Sequence, residues 1–84
     1  MTRIEWDEKA RDFLRKLPRE IAQRIFQKVE GQVSADVERY LERLVGIDGY
    51  KIRVGDYRLF VDHDLSSNHL IIRAIHHRHD AYKR

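Results

Sequence analysis

The chain has no cysteine, a single proline and only four glycines among its 84 residues. Without cysteine there is no disulfide framework, no thiolate metal site and no cysteine nucleophile. Gly46, Gly49 and Gly55 are spaced for turns and do not form a phosphate-binding loop. Ser66 and Ser67 share a turn and lack the strand–turn–helix frame of a nucleophile elbow. No apolar run approaches the roughly 20 residues needed to cross a bilayer. The opening Met1-Thr2-Arg3-Ile4-Glu5 has no apolar signal core. A cytoplasmic location away from membranes is therefore expected. Of the metal-ligand types, His76, His77, His79 and Asp80 lie close together. Adjacent strand residues point to opposite faces, so His76 and His77 are not expected to share an ion. Neither a metal nor a cofactor is expected.

Charge is abundant and unevenly placed. Residues 1–48 carry ten Lys/Arg and ten Asp/Glu, whereas residues 49–84 carry seven against four, which accounts for the whole net charge of +3. All five histidines also lie in the second part and add charge below about pH 6.5. The asymmetry points to a polyanionic partner, nucleic acid before others.

The basic part centres on Tyr50-Lys51-Ile52-Arg53-Val54-Gly55-Asp56-Tyr57-Arg58-Leu59-Phe60-Val61. Apolar and polar residues alternate on both sides of Gly55-Asp56, which predicts two strands about a two-residue primed turn. That turn sets Val54 opposite Tyr57, Arg53 opposite Arg58, Ile52 opposite Leu59 and Lys51 opposite Phe60. One face is then apolar, with Tyr50, Ile52, Val54, Tyr57 and Leu59. The other gathers Lys51, Arg53 and Arg58 around Phe60. Like charges directly opposite on a sheet are destabilising. Folding gives no reason for the Arg53–Arg58 pair, whereas a bound polyanion does; a solvated face with splayed cations is the plainer alternative.

A chain this short is one domain, residues 1–84, and buries roughly 60–65% of its unfolded surface. Arg3–Trp6 alternates as a first strand, and Asp7 is an N-cap for a helix with Ala10, Phe13, Leu14 and Leu17 on one stripe. Pro18 ends that helix and suits the first position of the next, whose apolar face is Ile21, Ala22, Ile25, Phe26 and Val29. Gly31 is placed to cap that helix or to lie near a bend. Ser34 is an N-cap for a third short helical stretch with Val37, Tyr40, Leu41 and Leu44 on one side; whether residues 34–45 stand apart or continue the second helix stays open. After turns at 46–49 and 64–68, His69–His76 is a last strand, apolar on both faces near its middle. The order β-α-α-β-β-β predicts an α+β fold, with a helical hairpin on one face of a small, mostly antiparallel sheet.

The chemistry left to such a chain is a cationic constellation with proton carriers. The cations are Lys51, Arg53, Arg58, Arg73 and Arg78. The acid/base groups are Tyr82, His76, His77 and His79. Arginine presents a fork suited to phosphate oxygens and to charge that develops in a transition state. Tyrosine acts as a base only where cations stabilise its phenolate. Alternatively, Tyr82 merely packs on the sheet edge.

Gly49–Arg58, followed by His77-Arg78-His79-Asp80-Ala81-Tyr82, resembles the RelE toxins of the RelE/ParE superfamily, and the resemblance covers essentially the whole chain. It implies the toxin of a type II toxin–antitoxin pair, held inactive by a RelB-like antitoxin. It further implies a metal-independent endoribonuclease that cuts mRNA on the ribosome with the RNA 2′-hydroxyl as nucleophile. By position, Lys51 and Arg53 match the family's RNA-binding cations, and Arg73 is added to them. Arg58 matches the arginine that stabilises the transition state, Arg78 the one that assists the leaving group, and Tyr82 the general base. The crowding of His76, His77 and His79 departs from the pattern. Any of them can replace or supplement Tyr82, with His79 and His77 ranked ahead of His76, for which a core-facing orientation is open. Two alternatives remain: a gyrase-poisoning ParE-like toxin and a non-catalytic RNA-binding module.

Overall fold

In the computed structural model, residues 1–79 are described; Tyr82 lies outside them. Strand β1 (Arg3–Trp6) leads through α1 (Glu8–Lys16) and α2 (Arg19–Gln27) to a π-helical segment, Lys28–Val33. A single helical turn α3 (Val37–Tyr40), then β2 (Glu42–Arg43), β3 (Tyr50–Val54), β4 (Tyr57–Asp64) and β5 (His69–His77) complete the described chain. Among the described residues five strands form one sheet in the order β1-β5-β4-β3-β2. Only β1–β5 pairs in parallel. The α+β expectation holds, with β2 as an additional strand. No described helix is long and apolar enough to cross a membrane.

The helices begin where local chemistry allows. The Asp7 carboxylate accepts from the Glu8 N–H at 3.0 Å and caps α1. Pro18 stands at the N-cap of α2, one residue earlier than expected, and its carbonyl accepts from Ile21 and Ala22. The region after α2 differs from expectation. The helix runs on through the π-helical segment, Gly31 lies inside it, and Ser34 closes it as a C-cap, its hydroxyl donating to the Glu30 carbonyl. The helix resumes for one turn after Asp36 and stops at Tyr40, because Leu41 is already extended. Residues 42–43 pair instead with β3, Glu42 opposite Lys51 and Arg43 opposite Tyr50. That pairing covers the edge of β3, and Gly49, at φ 124°, supplies the backbone turn that closes the loop.

The inner face of the sheet is the core. Ile52, Leu59, Leu70 and Ile72 are fully buried, and they meet Ala10, Ile25, Val29 and Val33 from the helical side. Trp6 flanks this cluster. Its indole N–H donates to Glu30 at 2.7 Å, and its ring stacks on Phe26, which remains 46% exposed. Phe26 thus serves as a lid on Trp6 and not as the core residue its spacing suggested.

The hairpin register is the expected one at all four pairs. Only Gly55 of the turn takes a positive φ, 57°, as a type II′ turn requires. The last strand contains a feature absent from the expectation. Phe60 pairs with Ala74 and Val61 with Ile72, so Arg73 is an extra residue, a β-bulge. The bulge breaks the alternation of β5. Ile72 and Ile75, three apart, are both buried, while His76 is carried to the outer face.

This predicts that residue count at position 73 matters more than charge. Arg73→Ala keeps the bulge and loses two exposed ion pairs that water screens. Inserting one alanine after Arg73, with the bulge retained, turns Ile75 out of the core, which should cost about 2–5 kcal/mol, as for emptying a core site. Urea unfolding of the two variants should show a small midpoint shift for the first and a large one for the second.

Candidate nucleic-acid interface

The outer face of β3, β4 and β5 carries Lys51, Arg53, Arg58, Phe60 and His76. The register fixes this grouping, since Lys51 lies opposite Phe60, and Arg58 lies opposite both Arg53 and His76. Among the described residues no helix packs on this side; α1 lies against β5 from the core side. The sequence-derived surface is therefore assembled as one open patch.

Its cations are individually held. Arg58 is half-buried and folds back on the turn, its Nη1 donating to the Gly55 and Tyr57 carbonyls at 3.2 and 3.1 Å. Its Nε is buried with no partner among the described residues. Arg53 pairs with Glu42 at 3.0 Å. Glu42 is a site residue that helical spacing concealed. The available signal was the Glu42-Arg43 and Tyr50-Lys51 pair flanking a glycine-bounded loop.

Arg78 follows β5 and joins the same end of the sheet. Its N–H donates to the Asp56 carbonyl at 2.7 Å, and its guanidinium lies 3.9 Å from the Asp56 carboxylate. The Gly55–Asp56 turn thus gathers Arg58 and Arg78. Arg73, expected among the RNA-binding cations, is committed elsewhere. It bridges Asp62 at 2.7 Å and Asp7 at 3.3 Å, and its pKa is raised, first by the Asp62 hydrogen bond and then by that of Asp7. We read it as the clamp of its own bulge, away from the Arg58 end.

The histidines separate by face. His76 meets Phe60 edge-on at 5.4 Å on the cationic side, so the core-facing orientation left open for it is corrected by the bulge. His77 points to the other side, edge-on to Tyr57 at 5.3 Å, and stacks on His79 at 5.1 Å. The His79 N–H donates to His77 Nδ1 at 3.3 Å, so that nitrogen is the acceptor of the pair. His76 is therefore the histidine that lies opposite Arg58 on the outer face. Among the described residues no three His, Asp or Glu side chains converge as a metal site.

Comparison with known proteins gives a consistent outline. Residues 4–82 match the family model for the ParE toxin of the type II toxin–antitoxin system parDE. No curated protein sequence matches the chain. A chain of the RelBE2 toxin–antitoxin complex of Mycobacterium tuberculosis superposes with a TM-score of 0.84 at 26% identity, covering 92% of this chain and 98% of that one. A chain of the intact E. coli RelBE complex gives 0.70 at 22% identity, covering 89% and 94%. A chain of the Pyrococcus horikoshii RelE–RelB complex gives 0.68 at 21%, covering 95% and 98%. The last two likenesses speak for the fold alone.

The geometry makes Glu42 a competitor of any anion at Arg53. Glu42→Gln should free that guanidinium, delay elution from heparin, and steepen the dependence of retention on salt. A variant that elutes at the wild-type salt concentration would show that Arg53 takes no part in anion binding.

Proposed function

The chain belongs to the ParE toxin family of type II toxin–antitoxin systems, within the RelE/ParE superfamily, and from that premise we propose that it is a metal-independent endoribonuclease that cuts mRNA on the ribosome. One observation carries the proposal: Arg53 and Arg58 face each other on an open sheet face beside Lys51, with Arg78 at the same end. A like-charge pair at register costs stability. A phosphodiester lying between the two guanidinium groups turns that cost into binding. A RelB-like antitoxin, such as the partners in the complexes above, would hold the chain inactive.

The proposed reaction needs little from the protein beyond orientation, charge and proton transfer. The RNA 2′-hydroxyl attacks the adjacent phosphorus, the bond to the 5′-oxygen breaks, and a 2′,3′-cyclic phosphate and a 5′-hydroxyl result. Arg58 stabilises the charge that accumulates on the phosphoryl oxygens. Arg78 assists the departing oxygen. Lys51 and Arg53 hold the flanking backbone. One proton leaves the 2′-hydroxyl and one reaches the 5′-oxygen. Tyr82 is the base that the family resemblance implies, and His76, across the strand from Arg58, joins His77 and His79 as a proton carrier.

The family match favours a second possibility, poisoning of DNA gyrase, which needs no RNA chemistry. A translation reaction with mapped RNA ends separates the two. Under the proposal, messages are cut on the ribosome, and cutting persists in chelator as long as the ribosome stays intact. Arg58→Ala should slow cleavage at least about 10²-fold, the usual loss for one transition-state donor. A message with a single 2′-deoxy nucleotide on the 5′ side of the cut should resist at that bond, because it has lost the nucleophile. Cleavage there would sink the mechanism. Intact messages together with trapped gyrase–DNA complexes would establish the second reading.

A further inference from the structure

Phe60 is an aromatic that folding does not require. It lies on the outer face of β4, and the partly buried apolar residues that pack against the core do not include it. Its cross-strand neighbours are Lys51 on β3 and Ala74 on β5, and its ring meets that of His76 at 5.4 Å and 70°. Ala74 rises only a methyl above the sheet, so β5 contributes one tall neighbour, His76. The bulge at Arg73 creates this pair by moving His76 to the outer face. Arg58 stands two residues before Phe60 on the same strand face, roughly 6.6–6.8 Å along the strand.

We propose that Phe60 and His76 form a stacking platform for one nucleobase of a single-stranded RNA whose adjacent phosphate lies at Arg58. The proposal rests on the RNA-cleaving function for the identity of the strand, and it assigns the residues that position the strand. An open sheet face that combines an aromatic ring with flanking cations binds single strands by stacking and by backbone charge. Charge complementarity selects this occupant, since Lys51, Arg53 and Arg58 surround the ring. Every base offers a π-face, so the platform tolerates sequence and favours purines through stacking strength.

The test uses fluorescently labelled A6 and U6 RNA and the purified chain, with anisotropy read across a salt series. Phe60→Leu keeps an apolar side chain and removes the π-face; Phe60→Trp keeps the π-face and adds an emitter. The Phe60→Leu variant should bind A6 roughly tenfold to a hundredfold more weakly, with an unchanged salt slope because no phosphate contact is lost. The Phe60→Trp variant should keep its affinity, and its emission should be quenched by A6 more than by U6. His76→Ala should weaken binding in the same direction by less. Wild-type affinity and slope in Phe60→Leu would overturn the platform, even if ribosomal cleavage by the wild-type chain proceeds. Loss of self-association or of binding to an acidic antitoxin peptide in Phe60→Leu, with RNA affinity intact, would also overturn it and assign the face to that partner. If the wild-type chain cuts no message while the Phe60→Leu defect in A6 binding stands, the catalytic function falls and the platform remains.

Discussion

The placement of one extra residue in β5 decides what the two faces of this sheet present. Without Arg73 as a bulge, strict alternation would put Ala74 and His76 on the same face as Leu70 and Ile72. With it, Ile72 and Ile75 both reach the core, and Ala74 and His76 reach the open face. The bulge is stabilised by its own side chain, since the Arg73 guanidinium reaches Asp62 on β4 and Asp7 at the start of α1. Three elements are thereby tied at the place where the β4–β5 ladder is irregular. The clamp is exposed and each pair is individually weak. Its importance is geometric: it holds an arginine in the position where the strand gains a residue.

A second constraint follows from the short turn at Gly55–Asp56. A two-residue loop leaves the register no freedom, so Arg53 must oppose Arg58. In a protein that only had to fold, selection against that pair would be easy, because either position tolerates a neutral polar residue on an uncovered face. The half-buried Arg58, with Nη1 on two carbonyls, strengthens the inference. Its guanidinium is oriented by the backbone in advance, and orientation ahead of binding is what charge stabilisation in a reaction requires.

The legible parts of the chain were those where one local rule dominates. The hairpin register followed from a loop too short to permit alternatives, and the Asp7 cap followed from a single side chain at a helix start. The misread parts were those where two rules compete. Residues 41–43 continue a helical spacing, yet the unpaired edge of β3 draws Glu42 and Arg43 into a ladder. In β5 the run Leu70-Ile71-Ile72-Arg73-Ala74-Ile75 is apolar on both parities, so alternation could not locate the bulge. The spacing of Ile72 and Ile75 becomes informative only when the partner strand is known. The orientation of His76 and the ion pairs of Arg73 both depend on that one irregularity, which alternation alone does not reveal.

The carboxylates beside the cations fit a surface that must wait for its ligand. Arg53 leans on Glu42, and Arg78 lies near Asp56, all four side chains being substantially exposed. Pairs of this kind contribute about 0–1 kcal/mol each, because water screens them and long side chains must be ordered. A phosphate that accepts two parallel N–H donors from one guanidinium makes a shorter and stronger contact. A phosphate at Arg53 or Arg78, under the proposed function, would replace a weak carboxylate contact with a stronger one. Glu42 and Asp56 act in that sense as placeholders. They partly offset the repulsion between neighbouring cations.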